Sequence, residues 1–248
     1  MMLNWVSRCS AILFFLAIAT NSCWATSYDV AATFEQGWTT QSNPNGVWSY
    51  GYSSGFTSPI TLYDQTVQNG VNGPNAQYWL SPAVDVGTSP AAEFNHGPAF
   101  NDGNVNFLPN EFVLVAGIGG QYSDLVFTAP ANGTYSIVSS FRGAQYGIGT
   151  VVGVVANDSV LFSSSITAVG QTVPFATEVM LTAGNTVVFS VGPGGGLQNT
   201  GLSATITTMP ETTIPEPSSL ALLGTGIIAL LGFRKLRNRG FGHSQAHR

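Results

Sequence analysis

Four aromatic residues in the first third of the chain have the type and spacing of a sugar-binding surface. Trp48, Tyr50 and Tyr52 alternate along one short segment, so in a strand they would share a face, and Trp79 follows later. A sugar ring can stack on a flat aromatic ring, while neighbouring Asn and Asp side chains bind its hydroxyl groups. The same alternation is also typical of a strand that faces the core. Two interpretations therefore stay open, a carbohydrate-binding surface and a buried aromatic cluster.

Three glutamates are the candidates for acid–base chemistry on a glycan. Glu93, Glu111 and Glu178 could supply the carboxylate pair of a polysaccharide hydrolase or lyase, although their order in the chain does not show their separation. His96 is the only histidine far from the C-terminus, and one histidine alone does not identify a catalytic triad. We expect a domain without a catalytic site, with His96 an ordinary loop residue, and keep a glycan-acting enzyme as the alternative.

One loop has the beginning of a calcium-binding pattern. Asp102, Asn104 and Asn106 are spaced like the first ligands of such a loop, and Glu111 follows. The central glycine and the final glutamate of the pattern are missing. We therefore expect no bound cofactor and a solvated loop here. A structural calcium ion on another loop, such as 64–75, is the alternative.

The elements that must position these residues are short strands. Apolar residues alternate with a period of two between turn signals such as Ala131-Asn132-Gly133 and Asn157-Asp158, and no long segment has the period of a helix. About twelve such segments predict an all-β domain over 26–207, an antiparallel β-sandwich of jelly-roll type. The candidate strands are 28–34, 46–52, 60–63, 78–80, 111–116, 123–128, 133–142, 150–156, 160–163, 175–181, 187–191 and 202–206.

Residues 123–207 also resemble a sandwich domain common in secreted bacterial proteins. The resemblance is carried by the strings Phe127-Thr128-Ala129-Pro130, Asn132-Gly133-Thr134-Tyr135 and Gly201-Leu202-Ser203-Ala204. Domains of this kind also host carbohydrate-binding modules. The resemblance implies the same sandwich fold and is compatible with a glycan ligand.

The charge of the predicted domain excludes one class of partner. Between residues 26 and 210 the sequence has ten acidic residues and one basic side chain, Arg142. Such a surface repels phosphate backbones, so we expect no nucleic-acid binding. Both cysteines, Cys9 and Cys23, lie near the N-terminus, outside this domain. The domain therefore has no thiol for a disulfide, a zinc site or a nucleophile.

Residues 1–25 have the pattern of a secretory signal peptide. Arg8 precedes a short apolar run, 11–19, which is too short to span a membrane stably. Cleavage between Ala25 and Thr26 fits the small-x-small rule, and export would use the Sec translocon. Acylation of Cys23 is an alternative, but Thr20 stands where a lipoprotein signal has leucine.

The C-terminus carries three features in a fixed order. Pro215, Glu216 and Pro217 come first, after a polar linker at 208–214. An apolar run follows within a predicted helix at 218–233; the run is about 14 residues, or about 21 Å of helix, and so a marginal membrane span. A basic cluster at 234–239 ends the segment and should stay cytoplasmic, leaving 240–248 as a short tail. The basic residues are Arg234, Lys235, Arg237 and Arg239.

This order resembles the PEP-CTERM sorting signal, here at 215–239. The resemblance implies that the motif is read by an exosortase, a membrane-embedded cysteine transpeptidase, and that the protein is associated with an exopolysaccharide or biofilm matrix. The prolines keep the segment before the helix extended, which would make it accessible for such an enzyme to bind. The nine residues after the basic cluster depart from the usual pattern. A plain membrane anchor is the alternative.

Three functions follow from these observations. The first is an exported, non-enzymatic protein, held briefly in the inner membrane and then sorted to the cell surface or matrix. The second is a carbohydrate-binding module, with extracellular polysaccharide as its partner. The third is a polysaccharide hydrolase or lyase.

Overall fold

A computed structural model describes residues 25–68, 71–147, 149–194 and 198–209. They form sixteen strands and one helix. The elements in chain order are β1 Ser27–Asp29, α1 Val30–Thr40, β2 Trp48–Ser53, β3 Thr61–Leu62, β4 Gln65–Val67, β5 Ala76–Leu80, β6 Ala91–Asn95, β7 Phe100–Asn101, β8 Asn106–Phe107, β9 Glu111–Ala116, β10 Tyr122–Thr128, β11 Gly133–Gly143, β12 Thr150–Ala156, β13 Ser159–Ile166, β14 Thr172–Leu181, β15 Thr186–Gly192 and β16 Gln198–Thr208.

Two antiparallel sheets form the predicted sandwich. The eight-stranded sheet has the order β14-β11-β16-β9-β6-β5-β4, with β1 paired to the far end of β16. The six-stranded sheet has the order β13-β12-β15-β10-β2-β3. Within these, the last eight strands run β9-β16-β11-β14 in one sheet and β10-β15-β12-β13 in the other. That order is the double Greek key of a jelly roll, so the predicted fold class is confirmed.

Local turn chemistry explains why the second half was predictable. Asn157 and Asp158 both have positive φ, 45° and 62°, and they join β12 to β13 in a two-residue hairpin. Asn and Asp tolerate this backbone region better than other side-chain-bearing residues. Gly133 opens β11, whose residues Tyr135, Ile137 and Phe141 face the core as the alternation indicates.

The prediction of a strand at 28–34 is wrong beyond its first residues. Asp29 ends β1 and caps α1, accepting a hydrogen bond from the Ala32 backbone N–H at 3.1 Å. Val30, Phe34 and Gly37 then lie buried on one helix face, with a spacing of four and three residues. The same residues also alternate with a period of two, which is why the sequence predicts a strand here.

The main core lies between the two sheets and holds most of the large rings. Trp48, Tyr50, Trp79 and Phe127 are at most 2% exposed, and Phe34 of α1 packs among them. The ring centroids of Trp48 and Phe127 are 5.3 Å apart, and those of Tyr50 and Trp79 are 6.4 Å apart. The aromatic stripe of β2 is therefore part of the core.

A second, smaller core lies on the outer face of the eight-stranded sheet. Tyr78, Val113 and Val115 point outward from their strands and are nevertheless buried. The hairpin of β7 and β8 covers them, with Val105 and Phe107 packed against the sheet. We call this region the hairpin-covered face.

The two ends of the domain meet. The Thr26 N–H donates to Thr208 Oγ1 at 2.7 Å, and the Thr208 N–H donates to the Thr26 carbonyl at 2.9 Å. The Met209 N–H also bonds to the Thr134 carbonyl. Residues 208 and 209 are therefore joined to the sandwich by backbone hydrogen bonds.

Several predicted features lie outside the described residues. These are the signal peptide up to residue 24, the motif at 215–217, the helix at 218–233 and the basic cluster. In the part of the chain that is described, no helix is both long and apolar enough to cross a membrane.

Candidate functional site

Several of the polar residues that could do chemistry lie on the hairpin-covered face. Register brings Arg142 of β11 beside Gly201 of β16, Gly201 beside Val113 of β9, and Val113 beside Glu93 of β6. The hairpin and the loop after β8 close over this row. The register of these neighbouring strands thus brings together residues that are far apart in sequence.

Arg142 forms the ion pair at the edge of this face. Its Nε and Nη2 donate to the two carboxylate oxygens of Glu111 at 2.7 and 2.6 Å. Nη2 also donates to the Asn106 carbonyl, while Nη1 donates to Asn106 Oδ1 and the Gly143 carbonyl. Glu111 Oε2 further accepts the Leu108 N–H at 2.7 Å. Both groups are engaged in protein contacts, so the pair fastens the hairpin to the sheet.

The Glu111 carboxylate passes close to Gly201, which has no side chain to obstruct it. A Cβ added there would lie 2.7 Å from the carboxyl carbon of Glu111 and closer still to Oε1. Glu111 lies across β16 at this position to reach Arg142 two strands away. A side chain at 201 would require the Glu111 carboxylate to shift.

A groove opens beside the ion pair. Its volume is about 280 Å³, near the lower end for small-molecule sites. The N-terminal end of α1 forms one wall, and the loop Leu108–Asn110 forms the other. The polar side chains of the lining include Asp29, Ser140, Arg142, Thr172 and Ser203. This lining is rich in hydroxyl groups and has no exposed aromatic ring.

Glu93 is the centre of a buried polar network on the same face. Its side chain is fully buried, and Oε2 accepts a hydrogen bond from Asn72 Nδ2 at 3.0 Å. The Tyr78 hydroxyl accepts the Asn72 backbone N–H at 3.1 Å. Burial raises the pKa of Glu93 from its ordinary 4.5 to about 8, and the hydrogen bond from Asn72 offsets only part of this effect.

The network continues from Glu93 to the surface through amide side chains. Asn72 Nδ2 also lies 3.3 Å from Asn199 Oδ1, Asn199 Nδ2 donates to Gln145 Oε1, and Gln145 Nε2 donates to Asn104 Oδ1 at 3.1 Å. Asn104 is exposed. These amides come from four separate segments and hold the loops over the sheet.

Tyr146 is the exposed aromatic ring at the surface end of this network. It is 41% exposed, and its hydroxyl accepts a hydrogen bond from Asn101 Nδ2 at 3.3 Å. Its backbone N–H donates to the Asn104 carbonyl at 2.9 Å. Asp102 lies in the same turn, and hydrogen bonds from the Val105 and Asn104 backbone N–H groups lower the pKa of its carboxyl.

The four aromatics predicted as a sugar surface do not form one. Trp48, Tyr50 and Trp79 are buried, so no sugar can stack on them. Tyr52 is only partly buried, but its ring stacks on that of Tyr63 with centroids 5.9 Å apart. The alternative interpretation, a core cluster, describes these residues.

The candidate calcium loop does not bring its side chains together. Asp102 Oδ1 accepts the backbone N–H groups of Asn104 and Val105 at 2.8 and 2.9 Å. The side chains of Asn104, Asn106 and Glu111 bond to Gln145 or Arg142 instead. Each predicted ligand thus has a separate role in holding the hairpin.

The three candidate catalytic glutamates are also separated by their surroundings. Glu93 is buried beneath the hairpin, Glu111 is bound by Arg142, and Glu178 lies exposed on β14. They do not face each other across one open groove. His96 lies in the loop after β6, and its backbone N–H donates to the Asn75 carbonyl at 3.3 Å.

A second buried acid lies on the outer face of the six-stranded sheet. Asp124 of β10 is 1% exposed, and Ser190 Oγ donates to its Oδ1 at 2.5 Å. Burial raises the pKa of Asp124 to about 6. The loop after β2 covers this position, with Phe56 lying against Gly153 on the strand β12.

Sequence reasoning missed Asn72, Asn199, Gln145 and Asp124. Only Asp124 had a local signal, as a lone acid inside an apolar strand. The amides had none, because Asn is common in solvated loops.

The family comparison matches the C-terminal segment. Residues 213–237 match the PEP-CTERM protein-sorting motif. The predicted resemblance is therefore confirmed, with bounds within two residues of those expected. The motif indicates an exported protein that is sorted to the cell surface. No curated protein matches the chain in sequence.

Several solved structures are similar to the sandwich. A family 35 carbohydrate-binding module from Clostridium thermocellum is 14% identical, covers 53% of this chain and 87% of its own, and has a TM-score of 0.28. A CBM4 structure is 15% identical, with 59% and 96% covered and a TM-score of 0.32. The K3 cleaved adhesin domain of Lys-gingipain from Porphyromonas gingivalis is 16% identical, with 44% and 87% covered and a TM-score of 0.30. At such values the likeness says nothing of what this chain binds.

Proposed function

We propose that this chain is a non-enzymatic protein of the cell surface or extracellular matrix. It enters the Sec translocon through residues 1–25, and an exosortase-type transpeptidase processes its tail. The observation that carries the proposal is the match of residues 213–237 to the sorting motif. The sandwich domain, closed at its ends by Thr26 and Thr208, would be the part that remains outside the cell.

Processing can be tested in a bacterium that carries an exosortase-type enzyme. The full chain with Pro215→Ala and Pro217→Ala should stay in the membrane fraction at its unprocessed mass. Without the two prolines, the segment before the helix is no longer held extended for the enzyme to bind. Pro210→Ala is the matched control, since it changes a proline outside the matched segment. Unchanged mass and location in the double variant would contradict the proposal.

A second candidate function, polysaccharide binding, is favoured by the surface around Tyr146. An exposed ring beside Asn101 and Asn104 combines a stacking surface with amide groups, and this combination suits a neutral sugar. The acidic domain would repel anionic glycans, so we expect uncharged polysaccharide as the ligand.

Affinity electrophoresis in gels that contain neutral polysaccharides measures this binding. The full chain should be retarded, and Tyr146→Ala should abolish the retardation. Met180→Ala removes an apolar side chain that is 79% exposed on β14 and should change nothing. Equal retardation of the parent and Tyr146→Ala would exclude this surface as the binding site.

A further inference from the structure

Asp124 lies in a row of small residues across the outer face of the six-stranded sheet. Register places Gly51 of β2 on one side of it and Ser190 of β15 on the other, with Gly153 of β12 beyond Ser190. The next residue of β10, Leu125, faces the main core. Asp124 therefore points away from that core, yet it is 1% exposed, so a segment outside the sheet must cover it.

The covering segment is 54–60, between β2 and β3, and we call it the strap. A Cβ added at Gly51 would lie 2.7 Å from the Ile60 side chain, and one added at Gly153 would lie 2.6 Å from the Phe56 ring. The strap thus lies against the sheet on both sides of Asp124. Glycine at these two strand positions permits this close approach.

The strap is held to the sheet by a small set of apolar contacts. Phe56 and Ile60 pack against Val126, Val155 and Val188. A groove of about 280 Å³ remains open between the strap and these valines. This small cluster is separate from the main core. A cover with so little packing can open while the sandwich stays folded.

The surroundings of Asp124 suit a neutral carboxyl better than a charged one. Its Oδ1 accepts the Ser190 hydroxyl at 2.5 Å. Its Oδ2 is buried and has no hydrogen-bond partner among the residues that the structure describes. A charge on this group would be desolvated and only half satisfied, which is costly inside a protein.

The neighbouring elements supply no positive charge to balance Asp124. The sequences of the strap, β12 and β15 contain no ionisable side chain. The titratable groups on the other adjacent segments are Tyr52, Tyr63 and Tyr122, which are neutral or negative in every state. Arg142, the only Arg or Lys between residues 26 and 210, is paired with Glu111 on the other sheet.

We propose that the strap is a pH-sensitive cover, closed over the protonated Asp124 carboxyl and opened when that carboxyl ionises. Opening lets water reach the charge and exposes the valines beside it. Burial raises the pKa of Asp124 from 3.8 to about 6 in the closed state. The stabilisation of the closed strap is therefore fully present below pH 3.8 and is lost as pH rises through 6. This inference does not depend on how the tail is processed.

Hydrogen–deuterium exchange of the full chain, read by mass spectrometry at pH 5 and pH 7.5, tests the cover. Exchange times are scaled for the intrinsic effect of pH on amide exchange. With a pKa of about 6 when closed and 3.8 when open, the opening constant of 54–60 should rise about tenfold between the two pH values. Peptides from β11, in the other sheet, should show no such rise.

Two pairs of variants assign the effect to Asp124. Asp124→Asn cannot ionise and should remove the pH dependence, whereas Glu178→Gln, at an exposed glutamate, should keep it. Gly153→Ala places a Cβ 2.6 Å from the Phe56 ring and should hold the strap open at both pH values. Gly133→Ala, whose Cβ meets nothing closer than 3.9 Å, should leave it closed at pH 5.

Three results would overturn the proposal. The first is a parent strap whose scaled exchange is the same at pH 5 and 7.5, and the second is an equal rise in β11, which would indicate global unfolding. The third is a tenfold rise that persists in Asp124→Asn. If Asp124→Asn folds poorly, a tenfold rise that persists in Gly153→Ala is equally decisive, because Asp124 should already be hydrated there at pH 5.

Discussion

A methyl group at position 201 should break the ion pair of the hairpin-covered face. In Gly201→Ala the new Cβ would lie within 2.7 Å of the Glu111 carboxyl carbon, whereas ordinary contacts begin near 3.4 Å. Glu111 must then leave Arg142, whose Nε loses its acceptor and whose Nη2 loses one of two.

The expected cost follows from the burial of the pair. Removing one partner of a buried ion pair costs about 3–5 kcal/mol. The side chains of Arg142 and Glu111 are 12% and 9% exposed, so water relieves part of that cost. We expect Gly201→Ala to lower the free energy of unfolding by about 3 kcal/mol, or the midpoint by about 6–12 °C.

Urea unfolding of the full chain, followed by tryptophan fluorescence, measures this difference. Gly133→Ala is the matched control, because its added Cβ meets nothing closer than 3.9 Å. In a Glu111→Ala background the same Gly201→Ala change should cost less than about 1 kcal/mol, since the obstructed side chain is gone. An equal cost in both backgrounds, or a cost no larger than that of Gly133→Ala, would refute the reasoning.

Two further predictions concern buried polar side chains elsewhere. Asp124→Asn should remove one source of pH-dependent stability. Burial raises the pKa of Asp124 from 3.8 to about 6, so the folded state binds this proton more tightly than the unfolded state does. The stabilisation that the protonated group gives at low pH is therefore lost as pH rises through 6. The stability of the variant relative to the parent should rise by about 2.4 kcal/mol between pH 4 and 7.5 in urea titrations, and a flat difference would contradict it. Asn43→Ala should cost about 2–3 kcal/mol, because Asn43 bonds both backbone groups of Tyr50 and the Tyr63 carbonyl, while Asn132→Ala at an exposed turn should cost far less. Equal midpoints for these two variants would show that the bonds of Asn43 contribute little.

The strands of the second half were predictable because their signals are local. Alternation sets which residues of β11 face the core, and Asn157-Asp158 sets the hairpin after β12. The strand β6 was missed although it is central, because both of its faces are buried and its residues do not alternate between apolar and polar. The helix α1 was missed because its capping residue also ends a strand.

The candidate site was much less predictable than the fold. The calcium-like spacing of Asp102, Asn104, Asn106 and Glu111 predicts a metal site. Asn104, Asn106 and Glu111 instead bond to Gln145 or Arg142, and Asp102 bonds to the backbone of its own turn. Trp48 was singled out for a sugar and lies in the core. Residue type alone does not distinguish a ligand from a structural contact, because both use the same donors and acceptors.

The sequence by itself determined the sorting signal and the class of fold. A terminal motif followed by an apolar run and basic residues needs no folding partner, and period-two alternation with turn residues specifies strands one at a time. Only the tertiary structure decided which polar residues meet. Glu93 and Asn199 are 106 positions apart, and their contact through Asn72 depends on strand register and on the loop that closes over it. Register is set by packing across the whole sheet, so no local pattern encodes it.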